Sequence, residues 1–358
     1  MEEGVGGFIV TEAAEAGTTV DQQALFDLHG LDADDWTITR ARSSRWQQRS
    51  TGQEPIWLEA SRIEFEPRAV VRAAVADAEK IISQIAKWRP RTPPPRNKCS
   101  LWVPVGDTQI GKIEGGGTTA TVERFLDNTA RMVHRQKTIK AEHVWLPWLG
   151  DCIEGVVSQK GKVRGRLDLS ITKQLRVLRR LQMAQIKVFA PVADIITLVG
   201  IPGNHDETTR DLFTEGTDSW ALEALATVDT AIGENPELRD RVKFLYPDDD
   251  TLTVTIDDQG QRVTMAHGHQ FPVSKSGWES WWDEQIRART LPGDADILLA
   301  AHRHHLVIND FAGRMFIQIP ALDGGSRHYE DRHGGGTPSR LVSFVLEDGR
   351  IRDFDPIL

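Results

Sequence analysis

Five times along this chain an apolar segment of strand length stops at a carboxylate, an amide or an imidazole. That recurrence restricts the fold more than any other feature. Leu101 to Val105 leads to Asp107. The run HVWLPWL leads to Gly150-Asp151, with Glu154 three residues on. Leu198 to Ile201 breaks at Pro202-Gly203, and Asn204, His205 and Asp206 follow in a row. An alternating run ends at His267, and a further apolar run ends at His302 and His304. Such groups make poor core material. They suit loops at the carboxyl ends of strands, where open α/β sheets place their sites. The expected fold class is therefore α/β. Taken alone, Gly-Asn-His-Asp also suits a turn whose Asn and Asp serve local hydrogen bonds or cap a helix; the five pieces together favour a site.

In order, the pieces are Asp107-Thr-Gln109, Gly150-Asp151-Cys-Ile-Glu154, Gly203-Asn204-His205-Asp206, His267-Gly268 and Ala301-His302-Arg303-His304. With them the chain resembles the calcineurin-like metallophosphoesterase family over about residues 101–319. The resemblance implies a four-layer sandwich, two mixed β-sheets flanked by helices. It implies two divalent ions, the first on Asp107, Gln109, Asp151 and His304, the second on Asp151, Asn204, His267 and His302. A deprotonated water bridging the ions would attack phosphorus. His205 would protonate the leaving oxygen or steady the phosphoryl charge. Glu154 would orient that imidazole. Asp206 would support the site or cap the next helix. His269 is expected to touch substrate. Two positions depart from the family pattern. Ala301 stands for a glycine, and Gln109 stands where the family has a metal-binding histidine. An amide oxygen is a neutral, harder ligand. The first position is thus expected to be weaker but occupied, by manganese in preference to magnesium, iron(II) or zinc.

Composition narrows the class. The chain has 358 residues, 39% of them hydrophobic, and a formal charge of −9. Any affinity for a polyanion must come from local patches. Two cysteines exclude a disulfide framework and suit a reducing cytoplasm, bacterial or of a phage-infected cell. No apolar run reaches the roughly 18 residues of a membrane span, and no signal peptide is expected at the start.

The expected domains are a small α+β module over 1–88, a Pro-rich linker over 89–98 and a catalytic domain over 99–358. In the module, helices are expected over 20–29 and 68–88 and strands over 37–46 and 56–65. Arg40, Arg42, Arg45 and Trp46 read either as phosphate and base contacts or as a basic strand of a docking module. LHGLDADDW followed by SSRW resembles the leader of actinobacterial phage metallophosphoesterases.

Residues 158–190 carry nine basic side chains and one acid, a local reversal of sign. Lys160, Lys162, Arg164 and Arg166 on the loop after Glu154 are expected to bind a polyanion, with DNA favoured. The alternative is solvation of a loop and a helix face. Trp278, Trp281 and Trp282 share one helix face; they either stack unpaired bases or anchor an insertion to its domain. Gly115-Gly116-Gly117 beside the first ligands would let substrate approach the backbone. A helix is expected over 208–232. The expected activity is DNA phosphodiester hydrolysis. A nucleotide phosphomonoesterase and a non-catalytic scaffold are the alternatives. The resemblance reaches an exonuclease branch that often works with a partner ATPase; neither that partner nor a homo-oligomer leaves a mark in this sequence.

Overall fold

The computed structural model describes residues 7–10, 14–15, 36–48, 56–67, 80, 82–93, 96–157, 167–209, 215–248, 251–274, 276–325 and 338–355. The chain forms two compact units, Met1–Ile81 and Ile82–Leu358.

In the first unit, β1 (Gly7–Val10), β2 (Ala14–Glu15) and β3 (Trp36–Gln48) all pair antiparallel with β4 (Ile56–Pro67). The two long strands are those expected from alternation. Arg40 stands in register with Glu64 and Arg45 with Glu59. The helix expected over 20–29 lies outside the described residues.

The sequence reading ends the module at residue 88, but 82–88 packs with the larger unit. Ile85 is buried there, and Asn235 Nδ2 donates to the carbonyls of Ile85 (2.5 Å) and Trp88 (2.7 Å). The expected linker also overlaps the first strand of the catalytic unit, β5 (Asn97–Trp102).

That unit holds two mixed sheets. In the six-stranded sheet β5 is followed by β6 (Ala141–Trp148), β7 (Ile195–Gly200) and β8 (Val242–Leu245), all parallel. The hairpin of β14 (Ser343–Glu347) and β15 (Arg350–Asp355) closes the other edge. In the five-stranded sheet, β10 (Gln261–Met265), β11 (Ile297–Ala300) and β13 (Arg314–Gln318) run parallel. Antiparallel β9 (Val254–Asp258) and β12 (Val307–Phe311) form its edges.

Period-two alternation decides the layers. Trp145, Val199, Val263, Met265, Ile297, Leu299, Ile317 and Phe344 share one core between the sheets. There Trp102 stacks on Trp145 (5.0 Å) and Phe344 (5.6 Å). The residues between them face outward. Trp148 meets Phe125 of α1 (Gly117–Ile139) and donates from Nε1 to Gln185 of α2 (Ile171–Phe189). A Cβ on Gly200 would lie 2.8 Å from Leu222 and Leu225 of α3 (Trp220–Gly233). On the other sheet, Leu298, Ala300 and Phe316 receive Trp278, Trp281 and Trp282 of α4 (Gly277–Ala288). The order is helix, sheet, sheet, helix, as expected.

Three local expectations are corrected. The helix expected from residue 208 starts at Trp220, because Glu207 bridges Ser219 in an extended pairing. The helix expected from Leu167 starts at Ile171, and Leu167 instead bridges Lys112. The glycine triplet takes left-handed φ angles of 66°, 90° and 73°. A Cβ on Gly115 would lie 2.2 Å from the Asp323 carbonyl. The missing side chain makes room for a neighbouring loop, not for substrate. Among the described residues no helix is long and apolar enough to cross a membrane.

Candidate metal centre

Because β5, β6, β7, β10, β11 and β13 run parallel within their sheets, the segments after them emerge at strand carboxyl ends. Asp107 follows β5, Asp151 follows β6, and Asn204 to Asp206 follow β7. His267 follows β10, and His302 and His304 follow β11. The backbone there is strained. Among the described residues, five of the twelve non-glycine positions with positive φ are Asp107 (49°), Gln109 (40°), Asp151 (49°), His302 (71°) and His304 (59°). Such angles cost energy and persist where the surroundings over-determine them, often at functional sites. Gly203 permits a close approach: a Cβ there would lie 2.1 Å from the Asp151 nitrogen.

Asp151 is the hub. Its Oδ1 accepts the His205 N–H (2.8 Å), and its Oδ2 lies 3.2 Å from His267 Nε2. His267 directs Nδ1 at the Leu149 carbonyl (2.7 Å), so that nitrogen carries the proton and Nε2 faces the site. His302 Nδ1 is 3.1 Å from the same Nε2. Ligand atoms of Asp151, His267 and His302 all lie within 4.8 Å of one another. Two imidazoles and a carboxylate gathered this closely suit a transition-series divalent ion. Asn204 stands on the same loop, between Gly203 and His205. His269, expected to touch substrate, has its ring 5.3 Å from that of His267 and 6.3 Å from that of His302.

His205 is held from the side opposite Asp151. Its Nδ1 is 3.2 Å from the Glu154 carbonyl and 3.4 Å from Glu154 Oε2. Both partners accept, so Nδ1 keeps its proton, and Nε2 lies 4.0 Å from Asp151 Oδ2. Asp206 does not reach that space. Fully buried, it accepts from the Ile153 N–H (3.1 Å) and the Gly203 N–H (3.0 Å). It ties the Asp151 loop to the His205 loop.

Burial disfavours charge on all these groups, and their neighbours decide the outcome. Against burial, Asp151 and Glu154 push His205 up to about 9. Asp151 likewise raises His267 to about 9. Burial together with His267 lowers His302 to about 4. Asp151 stays below the usual carboxylate range because His267 and His205 outweigh its burial. Burial and the Asp151 charge push Asp206 up to about 7.

The first expected position is built differently. Asp107 Oδ2 accepts the His302 N–H (2.8 Å), and its Oδ1 lies 3.3 Å from His304 Nε2. His304 Nδ1 lies 3.3 Å from Asp323 Oδ2. Lys112 Nζ donates to Asp323 and to Gln109 Oε1 (3.1 Å). Asp323, Lys112 and His304 are 1%, 12% and 27% exposed in their side chains, so this network is largely inside the protein. Among the described residues, Asp107, Asp151 and His304 do not form a group with ligand atoms within 4.8 Å of one another. The acidic and imidazole residues of the second position therefore fit a metal. Those of the first, with Gln109 engaged by an ammonium, fit one poorly.

Sequence reasoning missed Asp323 and Lys112. Asp323 follows β13, another parallel strand, so the rule that finds the five earlier strand ends finds it too. Lys160, Lys162, Arg164 and Arg166 lie outside the described residues. Trp278 stacks flat on Phe316 (4.3 Å, 5°), and Trp282 Nε1 donates to the Pro292 carbonyl (2.9 Å). With all three tryptophans buried, the anchoring role holds and none is free to stack a base. Arg179 of the basic segment pairs with Glu223 (3.8 Å).

No protein-family profile and no curated protein matches the chain. Solved structures similar to it include a conserved uncharacterized protein of Streptococcus pneumoniae described as a predicted phosphoesterase. It is 11% identical, over 72% of this chain and 90% of that one, with a TM-score of 0.32. Vacuolar Protein Sorting 29 from Cryptosporidium parvum is 16% identical over 72% and 96%, with a TM-score of 0.32. A novel archaeal phosphodiesterase is 12% identical over 70% and 97%, with a TM-score of 0.33. Likeness at this level transfers no residue role and no activity.

Proposed function

We propose that this chain is a metal-dependent phosphoesterase whose substrate is a phosphodiester in DNA. The observation that carries the phosphoesterase reading is the Asp151–His267–His302 group with the His205–Glu154 pair beside it. Asp151, His267 and His302 would hold a divalent ion, manganese by preference, which would supply Lewis-acid charge to phosphoryl oxygens and acidify a water for attack on phosphorus. Asp151 orients three loops around that charge, through His267 Nε2 and the His205 N–H. His205 keeps Nδ1 on Glu154 and presents Nε2, which gives its proton to the leaving oxygen. Asp206 holds the two loops at fixed separation.

The DNA part rests on the run of basic residues that begins just after Glu154. The tryptophans no longer contribute to it. The test compares manganese-supplemented hydrolysis of bis-p-nitrophenyl phosphate with that of the monoester, followed by end-labelled single- and double-stranded DNA. Diester preference and DNA cleavage are expected. Monoester preference moves the substrate to nucleotides or other phosphomonoesters. Silence with every substrate and divalent ion points to a scaffold. Neutralising Lys160, Lys162, Arg164 and Arg166 together is expected to weaken DNA binding and reduce its salt slope.

A further inference from the structure

We infer that this protein holds one divalent ion rather than a pair, and that the Lys112 ammonium stands in for the other. The inference rests on the metal-dependent reading above. It follows from how the first position is closed by the chain's own groups.

Gln109 is the starting point. Its amide oxygen is the one donor it brings to a metal, and that oxygen accepts from Lys112 Nζ at 3.1 Å. The lysine is placed there by the backbone. Gln109 takes a left-handed φ of 40°, and the Lys112 N–H donates to the Gln109 carbonyl (3.0 Å), closing a turn. The turn folds the lysine back over the residue three positions earlier. An ion bound to Gln109 Oε1 would share that oxygen with an ammonium in contact with it, two like charges at short range inside the protein.

Asp323 completes the closure. One of its oxygens meets both Lys112 Nζ and His304 Nδ1. The other accepts the Gly325 N–H (3.0 Å). One oxygen of Asp107 accepts the His302 N–H, while the other, buried and without a hydrogen bond, lies 3.3 Å from His304 Nε2. A fixed cation, the Lys112 ammonium, thus stands among the groups expected around the first ion. The Asp151–His267–His302 group has no lysine or arginine in its described contacts. Gln109 in place of a histidine and Lys112 three residues later read as one change: a neutral donor that an ammonium can approach.

The test counts manganese by equilibrium titration of EDTA-stripped, dialysed full-length protein. Free ion is read from the six-line electron paramagnetic resonance signal of aqueous Mn²⁺. Wild type is expected to bind one ion per chain, with a bound signal free of exchange coupling. Lys112→Met is expected to bind two, with a coupled signal, because the fixed charge is gone. Two coupled ions in the wild type overturn the inference and leave the phosphoesterase reading standing. One ion in a folded Lys112→Met overturns the role given to Lys112. No bound ion in the wild type overturns both readings. The wild-type count needs no variant, so the inference stays testable if Lys112→Met does not fold.

Discussion

The two halves of the strand-end rim use similar side chains to opposite ends. Around Asp151, two imidazoles gather beside one carboxylate, His267 with its outer nitrogen on the Leu149 carbonyl and His302 against His267 Nε2. Around Asp107, the imidazole of His304 is gripped between two carboxylates, and a lysine bridges the amide and the second of these. The first half has no lysine or arginine in its described contacts. The second has one. Similar donors therefore do not make similar sites. What decides is whether a fixed charge reaches them first.

The largest expected effect separates the halves directly. Asp151→Asn is expected to lose manganese binding and more than about 100-fold in turnover, since even outer-sphere changes around a metal cost about 10–100-fold. Retained binding would place the ion elsewhere. His205→Ala is expected to keep the metal and lose about 10²-fold or more in turnover, the usual contribution of a placed acid. If manganese affinity falls with it, His205 is a ligand.

Asp323→Asn probes the other half. It strands Lys112 and His304 inside the protein, so a loss of about 3 kcal/mol in unfolding free energy is expected, with manganese affinity unchanged. Weaker manganese binding would show that the two halves hold ions alike.

The smallest effect is pH-dependent. His205 and His267 both have pKa values raised from about 6.5 to about 9 by Asp151. Groups raised in the folded state stabilise below the unfolded value, and that stability is lost as pH climbs through the folded value. Metal-free protein is therefore expected to melt lower at pH 9 than at pH 6.5. The shift is roughly 2–4 °C for each kcal/mol lost. Saturating manganese, taking over the charge beside Asp151, is expected to flatten the slope. An equal slope with and without metal would contradict the assignment of Asp151 to the ion.

Much of this was legible in sequence because alternation and strand ends are local signals. The runs before Asp107, Asp151, Asn204, His267 and His302 mark parallel strands, and the sandwich follows from burying both faces of each. Asp323 was equally legible by that rule. It was passed over because a glycine-rich stretch follows it and reads as loop. Lys112 was not legible. Its reach to Gln109 depends on a left-handed backbone angle at a glutamine, which residue type alone does not announce. The tryptophans show a similar limit. A shared helix face is visible in sequence, but which surface it meets, here Phe316 and Phe271, depends on a sheet formed by distant residues. The late start of α3 has the same cause, since Glu207 finds its partner at Ser219.

The central claim is that side chains from the ends of two sheets converge on Asp151 to build a catalytic metal centre. The most direct measurement is manganese-dependent turnover of bis-p-nitrophenyl phosphate by wild type and Asp151→Asn side by side. The account predicts hydrolysis by the wild type that EDTA abolishes and manganese restores, and none by the variant. Equal turnover by the two proteins, or hydrolysis indifferent to EDTA, would contradict it.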